Sequence, residues 1–98
     1  VITAIVLIKT AQGRTQEVAQ ALIEMPGVTE AYSVAGMYDL VAMARVRHHD
    51  DLANLVTESI QRIKGIEETN TLIAFRAYSR RDLEAMWDIG NEEAMPQP

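Results

Sequence analysis

The first ten residues, VITAIVLIKT, place apolar side chains on both alternating registers: Val1, Ile5 and Leu7 on one, Ile2, Ala4, Val6 and Ile8 on the other. A strand with one wet face alternates apolar and polar residues, so a β-branched run of this kind belongs at the centre of a sheet, covered on both sides. A second run, Leu40 to Arg47, has Leu40, Ala42, Ala44 and Val46 on one face. Its other face carries Val41 and Met43 before Arg45 and Arg47. In a chain of 98 residues, enough for one domain and one modest core, two such strands leave little freedom in how the rest is arranged.

The segments between them alternate in type. Ala11-Gln12-Gly13-Arg14 is a turn, and Thr15 to Met25 places Val18, Ala21, Leu22 and Met25 at helical spacing. Pro26-Gly27 ends that helix, because proline cannot continue the hydrogen-bond ladder and glycine tolerates positive φ. Val28 to Ala35 reads as a strand and Gly36-Met37-Tyr38-Asp39 as a short connection into Leu40, so the two strands form a hairpin. His48-His49-Asp50-Asp51 leads into a second helix, with Asp50 or Asp51 as N-cap and Leu52, Leu55, Val56, Ile60 and Ile63 as its apolar stripe. Lys64-Gly65 stops it, and Glu68 to Arg76 is a fourth strand. A shift of 38 residues lays Val41–His48 on Thr3–Thr10 and Ala53–Ile63 on Thr15–Met25. Two strand-helix-strand halves give an α+β, ferredoxin-like βαββαβ sandwich. The first and third strands are expected at its centre and parallel to each other.

With both helices on one face, the other apolar face needs a cover. A dimer packing sheet against sheet supplies one; a C-terminal segment folded back over the sheet supplies another. That segment opens on Ser79-Arg80-Arg81-Asp82, a capping box, with Leu83, Met86 and Trp87 on one helical face and Gly90 as a stop. The expected organisation is a domain over 1–76, a helical extension over 77–90 and a disordered acidic tail over 91–98. The net charge of −5 falls wholly on residues 82–98, which carry five acids and no base. A core without net charge argues against unaided nucleic-acid binding, which depends on clustered Lys and Arg. There is no cysteine, which removes disulfides and thiol chemistry and fits a cytoplasmic location. No membrane-spanning stretch or export leader is evident, and no membrane partner is expected.

Chemistry-bearing patterns are sparse. His48-His49-Asp50-Asp51 suggests a metal site, but adjacent residues do not share a face and no third ligand lies nearby in sequence, so a polar strand-to-helix connection accounts for it. No phosphate loop, nucleophile elbow or zincin motif occurs, so no cofactor, metal or catalytic residue is implied. In Gly36-Met37-Tyr38-Asp39, glycine permits a tight turn whose amides can face an anion, Tyr38 offers a flat wall and a hydroxyl, and Asp39 suits an ammonium group. The alternative is a hairpin turn in which Asp39 caps backbone amides.

The run Pro26-Gly27-Val28 … Tyr32-Ser33-Val34-Ala35-Gly36-Met37-Tyr38-Asp39-Leu40-Val41-Ala42 resembles the signature of the Lrp/AsnC effector-binding (RAM) domain. Lys64-Gly65-Ile66 … Thr69-Asn70-Thr71-Leu72-Ile73-Ala74-Phe75 resembles its last helix-to-strand junction. The resemblance implies a non-enzymatic, dimeric domain, often built into rings of dimers, with an amino acid or related effector bound between subunits. It implies ligand-binding roles for Gly36, Met37, Tyr38 and Asp39 in the turn and for Thr69 and Thr71 in the final strand. Relatives commonly place an acid directly after the glycine; Met37 stands there in this chain, which leaves Asp39 as the candidate for the ammonium group. The regulators of that family carry a helix-turn-helix before this domain. A first strand beginning at Val1 leaves no room for one, which implies a stand-alone module that modulates transcription by joining full-length relatives. A small dimeric enzyme of the monooxygenase or isomerase type, with its pocket near His48 or His49, and a purely structural oligomerisation partner are the competing expectations.

Overall fold

The computed structural model describes residues 1–80. Four strands and two helical segments follow in the order β1 (Ile2–Thr10), α1 (Thr15–Ile23), β2 (Val28–Ser33), β3 (Leu40–Val46), α2 (His49–Asn54) and β4 (Ile66–Ala74). α2 runs on through a π-helical turn (Leu55–Ser59) and a 3-10 turn (Ile60–Arg62). The sheet order is β2-β3-β1-β4, with β1 and β3 at the centre as their two-sided apolar character requires. The βαββαβ sandwich is as expected, but β1 and β3 are antiparallel. Each crossover joins strands that run the same way, β1 to β2 and β3 to β4, and the β2–β3 hairpin reverses the direction between the two halves. Every neighbouring pair in the sheet is therefore antiparallel.

The register sorts side chains into two faces. On one face, Val28–Ala44–Ala4–Ile73, Ala31–Ala42–Val6–Thr71 and Ser33–Leu40–Ile8–Thr69 form rows across the four strands. Val18 and Leu22 of α1, with Leu52, Leu55 and Ile60 from the second helical segment, pack on this face and complete the buried core. Small Ala4, Ala42 and Ala44 at its centre let the helices approach closely, while Val6, Ile8, Leu22, Leu40 and Ile60 fill the remaining space. Each of these larger side chains stabilises the fold by roughly 1.5–3 kcal/mol on burial.

The two halves repeat down to their junctions. The amide of Met25 donates to Leu22 and that of Ile63 to Ile60, each at 3.1 Å. Gly27 and Gly65 follow with φ of 97° and 101°. The helices differ in one respect. Under the 38-residue shift Val18 and Leu22 correspond to Val56 and Ile60, also four apart, but in the second helical segment the buried pair is Leu55 and Ile60, five apart, with Val56 only partly buried. A regular α-helix would turn one of that pair off the core. The π turn, with its i→i+5 bonding, keeps both Leu55 and Ile60 inside.

The second helical segment starts earlier than expected. His48, in extended conformation, is the N-cap and makes no side-chain capping bond; its carbonyl accepts the first helical bond from Leu52 at 3.2 Å. Asp50 and Asp51 are instead in the first turn, where carboxylates favour the positive helix end. The capping box at Ser79–Asp82, the Leu83–Met86–Trp87 helix and the 91–98 tail lie wholly or largely outside the described residues. Among those residues, no helix is long and apolar enough to cross a membrane.

Candidate functional site

Among the described residues, the second face of the sheet has no helical layer. Glu30–Met43–Ile5–Leu72 and Tyr32–Val41–Leu7–Asn70 form its two central rows. Ile5, Leu7, Val41 and Met43 are only partly buried, and Leu72 and Tyr32 are 47% and 51% exposed. Tyr32 donates a 2.6 Å hydrogen bond from its hydroxyl to Glu30 Oε2. That bond, with lesser contributions from desolvation and the carboxylate charge, raises the phenol above its ordinary pKa.

At one end of this face lies the β2–β3 turn. Val34 N–H donates to Asp39 O at 3.0 Å and closes it. Gly36 takes φ of 128°, with open space where a side chain would project, and Met37 at the tip is 81% exposed. Tyr38 leans back over the sheet, where its hydroxyl meets Asn70 Nδ2 at 3.4 Å. A glycine with room around it, a flexible thioether, a phenol and a carboxamide thus form an uncrowded polar and apolar rim.

Asp39 is committed elsewhere. Its backbone N–H donates to Ile8 O at 2.9 Å. Its Oδ2 accepts from Thr10 N at 2.8 Å and from Thr10 Oγ1 at 3.3 Å. β1 extends past the start of β3, and the carboxylate takes the position of the next carbonyl in the ladder. Thr10, buried at 8% exposure, in turn shares a 2.8 Å bond with Thr15 Oγ1. The Asp39 carboxylate therefore caps a backbone amide and ties the turn to the first strand and to the start of α1.

Thr69 and Thr71 share a face with Ile73, as period two requires, and it is the helical face. Gln61 Nε2 reaches Thr69 Oγ1 at 3.4 Å, and Thr71 lies opposite Val6. Within one chain the sheet separates these hydroxyls from Tyr38. The residue of β4 that does meet the turn is Asn70, which the sequence singled out only as part of a motif. Its alternation with Leu72, set against Leu7 and Ile5, was the available signal. His48 and His49 are exposed, and among the described residues no three His, Cys, Asp or Glu groups converge as metal ligands would.

An all-antiparallel βαββαβ sheet with helices on one face and, among the described residues, an uncovered apolar face on the other is a ferredoxin-like fold. The profile of the Lrp/AsnC ligand binding domain matches residues 3–83, and the chain belongs to that family. It is 34% identical over 77 residues to the HTH-type transcriptional regulator FL11 of Pyrococcus furiosus, a match covering 79% of this chain and 50% of the regulator. The crystal structure of TTHA0845 from Thermus thermophilus is 48% identical, with a TM-score of 0.77 over 82% of this chain and all of that one. The L-Met complex of the transcriptional regulator NMB0573 from Neisseria meningitidis shares the fold at 12% identity, with a TM-score of 0.73 over 81% of this chain and 53% of that one. The family is one of non-enzymatic regulators, and the chain is a non-catalytic, effector-binding module related to them. It spans about half the length of the curated relatives it matches.

Proposed function

We propose that this chain binds an amino acid or a related small effector at the Gly36–Asp39 turn, within a cytoplasmic homodimer whose subunits pack sheet to sheet. Further assembly of dimers into a ring, and association with full-length Lrp/AsnC regulators, would let the bound effector modulate transcription. The observation that carries this reading is the apolar face left uncovered among the described residues, with the turn at its edge: a surface of this kind marks an interface, and in the proposed dimer the neighbouring subunit completes a cleft at its rim. The NMB0573 complex with L-Met supports the ligand class. Gly36, Met37 and Tyr38 line the site with Asn70, and Asp39 holds the turn in position. Thr69 and Thr71 lie on the helical side of β4, so they reach a ligand only where a further subunit brings one to that side. The effector shifts the assembly by its difference in affinity for the alternative arrangements and by no more than that.

Calorimetric titration of the chain with the common amino acids tests this reading. Saturable binding that Tyr38→Ala weakens by about tenfold or more is the expected result. Absence of binding across the panel, or binding indifferent to Tyr38→Ala, would remove the proposed site.

A further inference from the structure

At the end of the uncovered face away from the β2–β3 turn, the register sets Arg45, Thr3 and Ala74 side by side across β3, β1 and β4. Ile5 and Met43 lie one row further in and Arg76 just past the end of β4, and together these residues line a groove of about 440 Å³. Its floor is apolar apart from Thr3, and an exposed arginine stands on either side of it. Among the described residues, no side-chain hydrogen bond or ion pair engages Arg45 or Arg76. Glu30, which shares the face, accepts from Tyr32 instead. The groove thus joins an apolar floor to two positive charges that lack counter-charges there.

The chain itself carries the matching chemistry close by. Ala77 is still part of the groove lining, and the described residues end three positions later at Arg80. The sequence that follows places Leu83, Met86 and Trp87 at i, i+3 and i+4. It also holds Asp82, Glu84, Asp88, Glu92 and Glu93, with no base after Arg81, and so supplies the whole net charge of −5. A connection this short keeps a segment beside its groove at an effective concentration of about a millimolar or more. As a helix, residues 81–90 would be about 15 Å long, against roughly 10 Å from β3 across β1 to β4. Nearly all of this segment lies beyond the family match, which ends at residue 83.

We infer that the C-terminal segment, residues 81–98, docks in this groove on its own subunit. Leu83, Met86 and Trp87 lie against Ile5, Met43 and Ala74, and carboxylates of the segment pair with Arg45 and Arg76. The apolar contacts hold the segment down, and the arginines select it over a segment without surplus acids. The docked segment covers one end of the face and leaves Leu7, Val41 and Leu72 to the proposed dimer, so neither reading rests on the other.

Trp87 is the single tryptophan, so its fluorescence reports docking in the full chain. The expected result is blue-shifted emission protected from acrylamide. One exposed ion pair contributes little, so Arg45→Glu and Arg76→Glu are combined, which replaces attraction by repulsion at both sides. The double variant, verified as folded by melting temperature, shifts the emission to that of solvated tryptophan and loses the protection. Asp82→Lys, Glu84→Lys and Asp88→Lys added to it restore both. Lys9→Glu, the same charge reversal on another strand position of the sheet, leaves both unchanged. The chain has no cysteine, so Asn91→Cys carries a single nitroxide that identifies the subunit. Amide signals of Thr3, Ile5 and Met43 should broaden when nitroxide and isotope label share one chain diluted in unlabelled protein. They should stay sharp when the two labels are on different chains refolded together. Solvated emission in the unaltered chain, indifference to the double reversal, an equal effect of Lys9→Glu, no rescue by the lysines, or broadening only between different chains would overturn the proposal.

Discussion

Asp39 illustrates how the capping alternative for a turn carboxylate rests on a partner remote in the sequence. A carboxylate beside a glycine turn suits an ammonium ligand, yet its Oδ2 is held by Thr10, 29 residues earlier in the chain. Nothing local in the sequence reports that pairing. Asp39→Ala leaves the amide of a buried threonine without its acceptor and is expected to cost about 1–3 kcal/mol in chemical denaturation. Asp39→Asn keeps an oxygen in place and should recover most of that loss. If instead Asp39→Ala leaves stability unchanged, the capping role is wrong. Tyr32 gives a second residue-level expectation. Its raised pKa means that the fold favours the protonated phenol, so the stabilising contribution is complete below the ordinary tyrosine value of about 10 and disappears as pH rises through the higher folded value. Ultraviolet titration should find one phenol ionising late, and Glu30→Ala should return it to the ordinary range.

At the level of elements, the strands were legible and the second helix was only half so. β1 and β3 carry apolar residues at period two on both faces, and this pattern alone places them at the sheet centre. Their mutual direction was misjudged because direction follows from the hairpin between the halves, not from the composition of either strand. In the second helical segment the five-residue step from Leu55 to Ile60 was visible as an irregular stripe, but only packing shows that both residues are buried. Deleting Glu58 makes that step four, as in Val18–Leu22. The expected product is a folded protein with a regular helix and undiminished melting temperature, read by circular dichroism. A collapse of the fold would show that the π turn does more than keep core register. Asn70 was missed for a related reason: which face an edge strand turns to the solvent depends on its register against β1, which only the structure supplies.

At the scale of the molecule, the helical face is a finished core, while the opposite face presents Ile5, Leu7, Val41, Met43 and Leu72 with no covering layer among the described residues. Leu72 stands 47% exposed on that face in the single chain. Leu72→Glu therefore changes little in an isolated chain but places an unpaired charge in a sheet-to-sheet interface. Sedimentation velocity should show the proposed dimer replaced by monomer at micromolar concentration with secondary structure intact. A dimer that survives this substitution would move the interface to another surface.

The strand order also sets a timetable. Of the four strands β1 leaves the ribosome first, yet its two neighbours are β3 and β4, and β4 ends at Ala74. At roughly 5–20 residues per second, the most apolar strand of the sheet waits about 3–13 s for its second flank to be synthesised. During that interval its unpaired backbone is open to other nascent chains. Translation speed and chaperone supply, rather than the stability of the finished sandwich, would then govern how much of the product escapes aggregation.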